Sequence, residues 1–351
     1  MALHLSTTLA DRDVDLDLTV ADGEVVAILG PNGAGKSTVL AVIAGLLRPD
    51  RGRATLDGRV LFDIGGSDTA ATWVPAHDRG VALLAQEALL FPHLSALDNV
   101  AFGPRSTGHS RRDARDIAAR WLAEVDATQY GDRRPTQLSG GQAQRIAVAR
   151  ALAADPHLLL LDEPMAALDV AVAPALRHML RRVLADRSAV IVTHDVLDAL
   201  LLADRVVVVE GGQVVEDGPT TSVLARPRSD FAARVAGLKL VRGTVEGHGV
   251  RSPGGLLVEG LPEERLAPGG EALAVFRPSS VGVYREPPGG SPRNVIPVTV
   301  TDLEPHGDQI RVRTADLSAD VTAGAVAELG LVPHTEAIFA VKASEVAIYR
   351  A

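Results

Sequence analysis

A glycine-rich segment between a buried strand and a helix is the feature that most constrains this chain. The apolar run Val25–Leu29 predicts the strand, and a helix is expected from about Lys36 to Leu46. Glycines let backbone N–H groups curl around an anion, and the N-terminus of the helix adds a favourable field. The spacing is that of a phosphate-binding loop, or P-loop. Its residues are Gly30, Pro31, Asn32, Gly33, Ala34, Gly35, Lys36, Ser37 and Thr38.

This loop predicts that the chain binds ATP with Mg²⁺. In a P-loop the lysine reaches the β- and γ-phosphates and the next hydroxyl ligates Mg²⁺, which gives these roles to Lys36 and Ser37. A second apolar run, Leu158–Leu161, ends in Asp162 and Glu163. Because a strand end presents carboxylates to the ligand crevice, we expect Asp162 to hold Mg²⁺ through water. Glu163 is then the expected general base for the attacking water.

Strands alternate with helices through the first two thirds of the chain. Further strands are predicted at Val81–Ala85 and Ala189–Val192. Such alternation implies a largely parallel sheet, so we predict an α/β P-loop NTPase domain over residues 1–235. The predicted helices of this domain span about 111–125, 142–153 and 173–185.

The sequence changes character near Gly237. Short valine-rich runs punctuated by glycine and proline predict an all-β, OB-like or barrel-like domain over residues 236–351. This part repeats itself, because Arg277–Arg285 is similar to Lys342–Arg350 at an offset of 65 residues (342 minus 277). We therefore expect two similar β units, linked by Pro287–Pro292.

Composition narrows the classes of function. A formal net charge of −9 argues against a dedicated nucleic-acid binder, which usually has a basic face. The absence of cysteine excludes disulfides and thiolate metal sites. We expect neither a signal peptide at residues 1–13 nor a membrane helix, which needs roughly 18 consecutive apolar residues. A role at a membrane would therefore be that of a peripheral subunit.

The segment Leu138–Gln142 distinguishes this chain among P-loop proteins. It resembles the signature sequence of ABC ATPases. On this basis residues 1–235 resemble the ATP-binding domains of that family. The resemblance implies that the signature caps ATP held by a second subunit, with Ser139 and the amides of Gly140 and Gly141 binding the γ-phosphate. Function would then need a head-to-tail homodimer with two sandwiched ATP molecules. The signature residues are Leu138, Ser139, Gly140, Gly141 and Gln142.

Other elements of the family follow in order. Gln86 fits the Q-loop, which contacts Mg²⁺ and senses the membrane partner, and Asp169 fits the D-loop. His194 fits the switch histidine that contacts the γ-phosphate. The resemblance thus implies catalysis by Glu163 with His194 and Gln86. Many family members stack adenine on an aromatic residue near positions 10–14, where this chain has none and offers Arg12 instead.

Three stretches near the end of the chain carry a second resemblance, at Ser291–Asn294, Ala327–Leu331 and Val341–Val346. On these stretches, about residues 291–351 are similar to the Mop-like module of bacterial molybdate importers. In such modules a serine and an arginine of the first motif and a lysine of the last hold an oxyanion. Carried over, these are Ser291, Arg293 and Lys342, with Asn294 and Ser344 as helpers. The chemistry is suitable, because a tetrahedral dianion needs cations, hydroxyls and amide donors. The alternative is a module that only pairs subunits and regulates them.

The resemblance implies the ATPase subunit of a molybdate importer on the cytoplasmic face of the cell membrane. Its partners would be membrane permease subunits and, through them, an extracytoplasmic binding protein. The same machine importing tungstate, sulfate, iron or a sugar is the nearest alternative. The single cassette and the net negative charge argue against a soluble ABC ATPase that acts on nucleic acid or ribosomes. A molybdate sensor or storage protein would not need Glu163 or His194.

Overall fold

The computed structural model describes residues 2–65, 71–166, 168 and 171–351. They form two compact units, which divide between Val223 and Leu224. The sequence predicts this boundary later, at residue 235. The difference arises because the helix Asp230–Val235 packs against Lys239–Glu246, the first strand of the second unit.

The first unit contains most of the helices. Its strands are β1 (Leu3–Leu9), β2 (Val14–Val20), β3 (Val25–Leu29), β4 (Arg51–Leu56), β5 (Arg59–Ile64), β6 (Thr72–Trp73), β7 (Val81–Leu84), β8 (Leu158–Asp162), β9 (Ala189–Val192), β10 (Arg205–Glu210) and β11 (Gln213–Pro219). Its helices are α1 (Lys36–Ala44), α2 (Ala96–Val100), α3 (Phe102–Ser106), α4 (Arg111–Glu124), α5 (Gly140–Ala153), α6 (Ala173–Leu184) and α7 (Val196–Leu202), and α8 (Thr220–Ala225) spans the division.

Two sheets organise this unit. The central sheet has the strand order β11-β10-β3-β9-β8-β7, and every neighbouring pair is parallel except the β10–β11 hairpin. The second sheet is antiparallel, with the order β2-β1-β4-β5-β6. Because β3, β8 and β9 are neighbours in one parallel sheet, their carboxyl ends lie at one edge, where ligands of α/β sheets bind. The predicted parallel α/β domain is confirmed.

Strand β8 shows why its sequence is continuously apolar. Successive side chains of a strand point to opposite faces. Leu158 and Leu160 belong to the core between the central sheet and α1, whereas Leu159 and Leu161 pack on the side of α4, α5 and α6. Both faces are therefore buried, which removes the polar alternation of a half-exposed strand.

The second unit is an all-β domain with two short helices, as the sequence predicts apart from those helices. Its strands are β12 (Lys239–Glu246), β13 (Gly249–Arg251), β14 (Leu257–Glu259), β15 (Leu261–Pro262), β16 (Glu271–Phe276), β17 (Gly282–Tyr284), β18 (Asn294–Thr299), β19 (Asp302–His306), β20 (Gln309–Arg313), β21 (Ser318–Val321), β22 (Glu336–Val341) and β23 (Ala347–Arg350). The helices are α9 (Asp230–Val235) and α10 (Ala323–Glu328). The sheet orders are β14-β13-β12-β16-β23-β15, β17-β22-β18 and β19-β20-β21.

The internal repeat has the same local structure in both copies. Each copy is a strand, a 3₁₀ turn and a second strand, with the turns at Pro278–Ser280 and Ala343–Glu345. The copies exchange partners, because β16 pairs with β23 and β17 pairs with β22. The hydroxyl of Ser280 also donates to the carboxylate of Glu345, its own counterpart at the offset of 65. The repeat is therefore the framework that joins the sheets of this unit.

The repeat supplies a matched pair of tyrosines for a stability measurement. Tyr349 is 4% exposed and its hydroxyl donates to the carbonyl oxygen of Pro227 at 2.8 Å, whereas its counterpart Tyr284 is 39% exposed. We expect Tyr349→Phe to lower the free energy of unfolding by about 1–2 kcal/mol, because it leaves a buried carbonyl without this donor. Tyr284→Phe should change it by less than about 0.5 kcal/mol. Denaturant unfolding of both variants is the measurement. Equal effects of the two variants would show that the hydrogen bond from Tyr349 to Pro227 does not stabilise the fold.

Candidate functional site

The P-loop connects the end of β3 to the start of α1. The Nζ atom of Lys36 donates to the carbonyl oxygens of Gly30 and Pro31, each at 2.9 Å, so the lysine braces the loop from inside. Lys36 is buried, and this burial lowers the pKa of its ammonium, while Glu163 and Asp162 raise it. An ammonium with little water around it is placed to interact strongly with a phosphate.

Two glycines of the loop are required by close approach of other chain segments. A Cβ on Gly30 would lie 2.1 Å from the carbonyl oxygen of Val209, and a Cβ on Gly35 would lie 2.6 Å from Cγ2 of Val14. Gly35 also has φ of 95°, in the left-handed region that disfavours other residues. Tertiary packing, as well as the approach of phosphate, therefore explains these two glycines.

The acidic strand end of β8 meets the P-loop. The hydroxyl of Ser37 donates to Oδ1 of Asp162 at 3.2 Å. Burial raises the pKa of Asp162 and so does neighbouring Glu163, while the Ser37 bond and Lys36 lower it. A carboxylate that is costly to bury alone is suited to a cation beside it.

These two side chains fit Mg²⁺. Mg²⁺ is usually held by one or two protein oxygens together with substrate phosphates and water. Ser37 and Asp162 provide such a hydroxyl and carboxylate, and the described residues contain no cluster of three or more His, Asp or Glu that could hold a metal alone. The donor set therefore suits a cation that arrives with a nucleotide.

Glu163 and His194 lie together beside the loop. Oε2 of Glu163 is 3.4 Å from Nδ1 of His194, and the side chains are 21% and 61% exposed respectively. The backbone N–H of Glu163 donates to the carbonyl of Val192 at 2.8 Å, which ties it to the end of β9. Glu163 has φ of 44°, an uncommon left-handed conformation for glutamate. Strain of this kind is typical of residues whose direction matters for function.

A cleft of about 540 Å³ is lined by residues of the P-loop together with Glu163, but not by Asp162, Gln86 or His194. Arg12, at the end of the 3₁₀ turn Ala10–Arg12, forms one side, and its Nη1 donates to Oγ1 of Thr38 at 3.2 Å. Aromatic side chains are absent from the described residues that line the cleft. The lining residues are Arg12, Asn32, Gly33, Gly35, Lys36, Ser37, Thr38 and Glu163.

Gln86 lies at the same edge of the sheet. Strands β7 and β8 pair in parallel with Leu84 opposite Leu161, so the chain after each strand leaves in the same direction. Gln86 follows β7 as Glu163 follows β8, and its side chain is exposed. The structure thus places Gln86 near the acidic strand end without a bond to it.

The signature residues form the start of α5, where Ser139 and Gly140 are exposed and the other three are partly buried. Ser139 caps this helix, because its hydroxyl accepts from the N–H of Gln142 while Oε1 of Gln142 accepts from the N–H of Ser139. This reciprocal capping box satisfies two backbone amides, and the remaining amides of the first turn have no partner within the helix. None of the described residues that line the cleft belongs to the signature. The D-loop residue Asp169 lies outside the described residues.

Four of the five predicted oxyanion residues are exposed in the second unit. Strands β18 and β22 pair with Asn294 opposite Val341, which brings Arg293 and Lys342 to the same end of the pair. Ser291 shortly precedes β18 and Ser344 shortly follows β22, and both residues are exposed.

Asn294 differs, because its side chain is committed to the backbone. It is 3% exposed, its amide nitrogen donates to the carbonyls of Glu259 and Val341, and its oxygen accepts from the N–H of Glu259. The expectation that Asn294 donates to an oxyanion is corrected, since both of its amide hydrogens are used.

The sequence did not draw attention to a buried pair behind His194. Arg177 on α6 donates to Asp198 on α7. The available signal was an arginine within an apolar helix stripe, since Leu176, Met179 and Leu180 beside it are buried. A charged residue in such a stripe needs a partner, but the partner cannot be identified without the fold.

Comparisons with known proteins agree with this arrangement. A family profile described as ABC transporter matches residues 14–166, and one described as TOBE domain matches residues 290–348. The molybdenum import ATP-binding protein ModC of Mycobacterium tuberculosis H37Rv is 50% identical, over 99% of this chain and 97% of its own length. The Fe(3+) ions import ATP-binding protein FbpC 1 of Rhizobium meliloti is 38% identical, over 95% of this chain and 92% of its own.

A shorter match and a solved structure extend the comparison. The sulfate/thiosulfate import ATP-binding protein CysA 2 of Agrobacterium fabrum is 43% identical over 66% of this chain and 65% of its own length. The ATP-binding cassette MJ0796, solved as a dimer in a post-hydrolysis state with ADP and phosphate, is similar with a TM-score of 0.53 and 28% identity. That match covers 62% of this chain and 98% of the solved chain.

The bracing role of Lys36 leads to a prediction. Lys36→Met removes the ammonium that contacts Gly30 and Pro31, and we expect the dissociation constant for ATP to rise roughly 10- to 100-fold, as for loss of a charged hydrogen bond. Titration calorimetry with ATP is the measurement, and Lys342→Met, in the second unit, is the control. Unchanged ATP affinity in Lys36→Met would contradict the placement of phosphate in this loop.

Proposed function

We propose, from the premise that this chain belongs to the ATP-binding subunits of ABC importers, that it hydrolyses ATP to drive molybdate import through a membrane permease. Family membership rests on the 50% identity to a ModC protein over 99% of the chain, and it confirms the resemblance seen in the sequence. The observation that carries the catalytic part is the cleft in which Glu163 faces the P-loop residues Lys36 and Ser37.

Glu163 activates the water that attacks the γ-phosphate. It is the carboxylate at the edge of the cleft, whereas Asp162 is engaged with Ser37. His194, 3.4 Å from Glu163, is placed to contact the γ-phosphate, and Gln86 is a further ligand of Mg²⁺. When bound, Mg²⁺ supplies charge neutralisation on the phosphates. The residues of the chain orient the water and hold the nucleotide.

Hydrolysis requires two chains. Phosphate sites favour the N-terminus of a helix, and the capped start of α5 with Ser139, Gly140 and Gly141 is such a site without a ligand-facing role in its own cleft. A head-to-tail homodimer supplies this helix to the nucleotide of the partner. The solved relative MJ0796 is itself a dimer.

The permease docks beside Gln86. Leu89 and Phe102 are 64% and 49% exposed, and the rings of Phe91 and Phe102 lie 4.6 Å apart. Arg150 donates to the carbonyls of Leu89 and Ala88, which fixes this apolar surface to α5. An exposed apolar surface on a rigid element suits a membrane-protein partner.

No described helix is long and apolar enough to span a bilayer. The chain acts as a peripheral subunit at the cytoplasmic face, and a binding protein outside the cell delivers the anion.

Molybdate is favoured over the other cargoes by the extent of similarity. The relative named for molybdenum import is 50% identical over nearly the whole chain, compared with 38% for the relative named for Fe(3+) and 43% over two thirds for sulfate. The catalytic cleft argues against a storage or sensing protein as the main role. In the second unit Ser291, Arg293, Lys342 and Ser344 hold cytoplasmic oxyanion and regulate transport.

The catalytic role of Glu163 is tested by Glu163→Gln. This change keeps the shape but removes the base, so we expect the ATP hydrolysis rate to fall at least roughly 100-fold, within the usual contribution of a general base. The dissociation constant for ATP should change less than about threefold, since Lys36 and Ser37 are intact. Steady-state phosphate release is the measurement, with the exposed Glu124→Gln as control. A variant that hydrolyses ATP at nearly the normal rate would show that another group is the base.

The oxyanion site is tested by calorimetric titration of the full-length chain with molybdate, tungstate, sulfate and phosphate. We expect molybdate or tungstate to bind selectively, and Lys342→Ala to weaken binding at least about tenfold through loss of a charged donor. The exposed Arg265→Ala in the same unit is the control. Binding of none of the four anions would leave the ATPase assignment intact and reduce the second unit to a pairing module.

A further inference from the structure

A buried ion pair outside the nucleotide cleft joins α6 to the segment that carries His194. Arg177 on α6 is 9% exposed and Asp198 on α7 is 3% exposed. Nε of Arg177 donates to Oδ1 of Asp198 at 2.8 Å, and its Nη2 donates to Oδ2 of Asp195 at 3.0 Å. Neither Arg177 nor Asp198 has a part in the chemistry proposed above.

Both sequence neighbours of His194 are tied to this pair. The hydroxyl of Thr193 donates to Oδ2 of Asp198 at 2.9 Å and accepts from the N–H of Asp195 at 3.1 Å. Oδ1 of Asp195 accepts from the N–H of Leu197 at 2.8 Å, which caps α7. The imidazole of His194, by contrast, is 61% exposed and lies 3.4 Å from Glu163. The direction of His194 is therefore set by the residues on either side of it.

A role in positioning explains the pair better than a role in stability. Replacing a buried ion pair by apolar residues of similar volume is often neutral or stabilising, because desolvation offsets the attraction. The guanidinium of arginine is planar and rigid, so it fixes the positions of the carboxylates that it binds. Here those carboxylates belong to Asp195 and Asp198, which bracket the start of α7.

We propose that Arg177 is a positioning residue for catalysis, which holds His194 in reach of the γ-phosphate through Asp195, Asp198 and Thr193. The inference rests on the proposed ATPase function. It adds a connection between α6 and the end of β9, so that a shift of α6 changes the position of His194. Misplacement of a catalytic group by about 1 Å can lower a rate roughly 100-fold.

The first test is the kinetics of Arg177→Met, with Arg181→Met as the matched control. Arg181 lies one turn further along α6 and is exposed. We expect Arg177→Met to lower kcat for ATP hydrolysis at least about tenfold while KM changes less than about threefold, because the P-loop is untouched. Arg177→Lys should recover part of kcat, since it keeps the charge but not the fork. Equal kcat in Arg177→Met and the control would overturn the inference.

A second variant guards against misfolding. Arg177→Met leaves Asp198 buried and unpaired, which destabilises the fold. The double variant Arg177→Met/Asp198→Leu removes both charges and should melt within a few degrees of the wild type, yet keep the low kcat. Recovery of wild-type kcat in this double variant would show that the single variant failed only through instability.

A double-mutant cycle with His194→Ala separates positioning from a general structural effect. If Arg177 acts through His194, Arg177→Met should cause less than about a twofold further loss of kcat in the His194→Ala background. Multiplication of the two losses would overturn the inference. If the wild-type chain hydrolyses ATP but the two kcat losses multiply, only the positioning role of Arg177 is overturned. If the wild-type chain hydrolyses no ATP, the ATPase function and the positioning role are both overturned.

Discussion

The backbone of residues 30–36 must turn from a buried strand into a helix while keeping its amides free for phosphate. Packing leaves no room for a side chain at Gly30, where a Cβ would lie 2.1 Å from Val209. Lys36 closes the turn by donating to two carbonyls of the loop itself. Because β3 sits between β9 and β10 in a parallel sheet buried on both faces, the loop has a fixed platform. The acidic end of β8 and the histidine after β9 reach the same edge from this platform.

The site of a single chain is incomplete in a specific way. Its described residues offer an ammonium, a hydroxyl and two carboxylates, but the lining of the cleft lacks the helix start at which the signature lies. In the proposed homodimer, hydrolysis depends on the approach of the two chains, because each chain completes the site of the other. Since Leu89 and Phe102 form an exposed apolar surface next to the Gln86 segment, a partner bound there is placed to influence that approach. The ion pair of Arg177 with Asp198 connects α6 to the segment that carries His194. In our proposal, a shift of α6 therefore changes the position of His194.

Local structure was predictable from the sequence, and tertiary partners were not. The P-loop, the strand end at Asp162 and the helix start at Ser139 are short patterns whose local structure follows from neighbouring residues, so the elements that carry them agree with expectation. Asn294 was interpreted as an anion donor from the sequence. Its burial against Glu259 and Val341 was not visible there, because it depends on strands distant in sequence. The boundary at Val223 and the partner of Arg177 likewise depend on packing between separate elements. The repeat was visible as sequence, but the exchange of strands between its copies was not.

The central claim is that the signature of one chain caps the nucleotide of another. The chain has no cysteine, so single cysteines report contacts without background. We would mix chains carrying Asn32→Cys, at the edge of the cleft, with chains carrying the exposed Thr136→Cys, beside the signature, both in the Glu163→Gln background. A short bismaleimide should then join the two chains only when ATP and Mg²⁺ are present, and only when both cysteines are present. Absence of a covalent dimer at saturating ATP, or the same yield without ATP, would contradict the account.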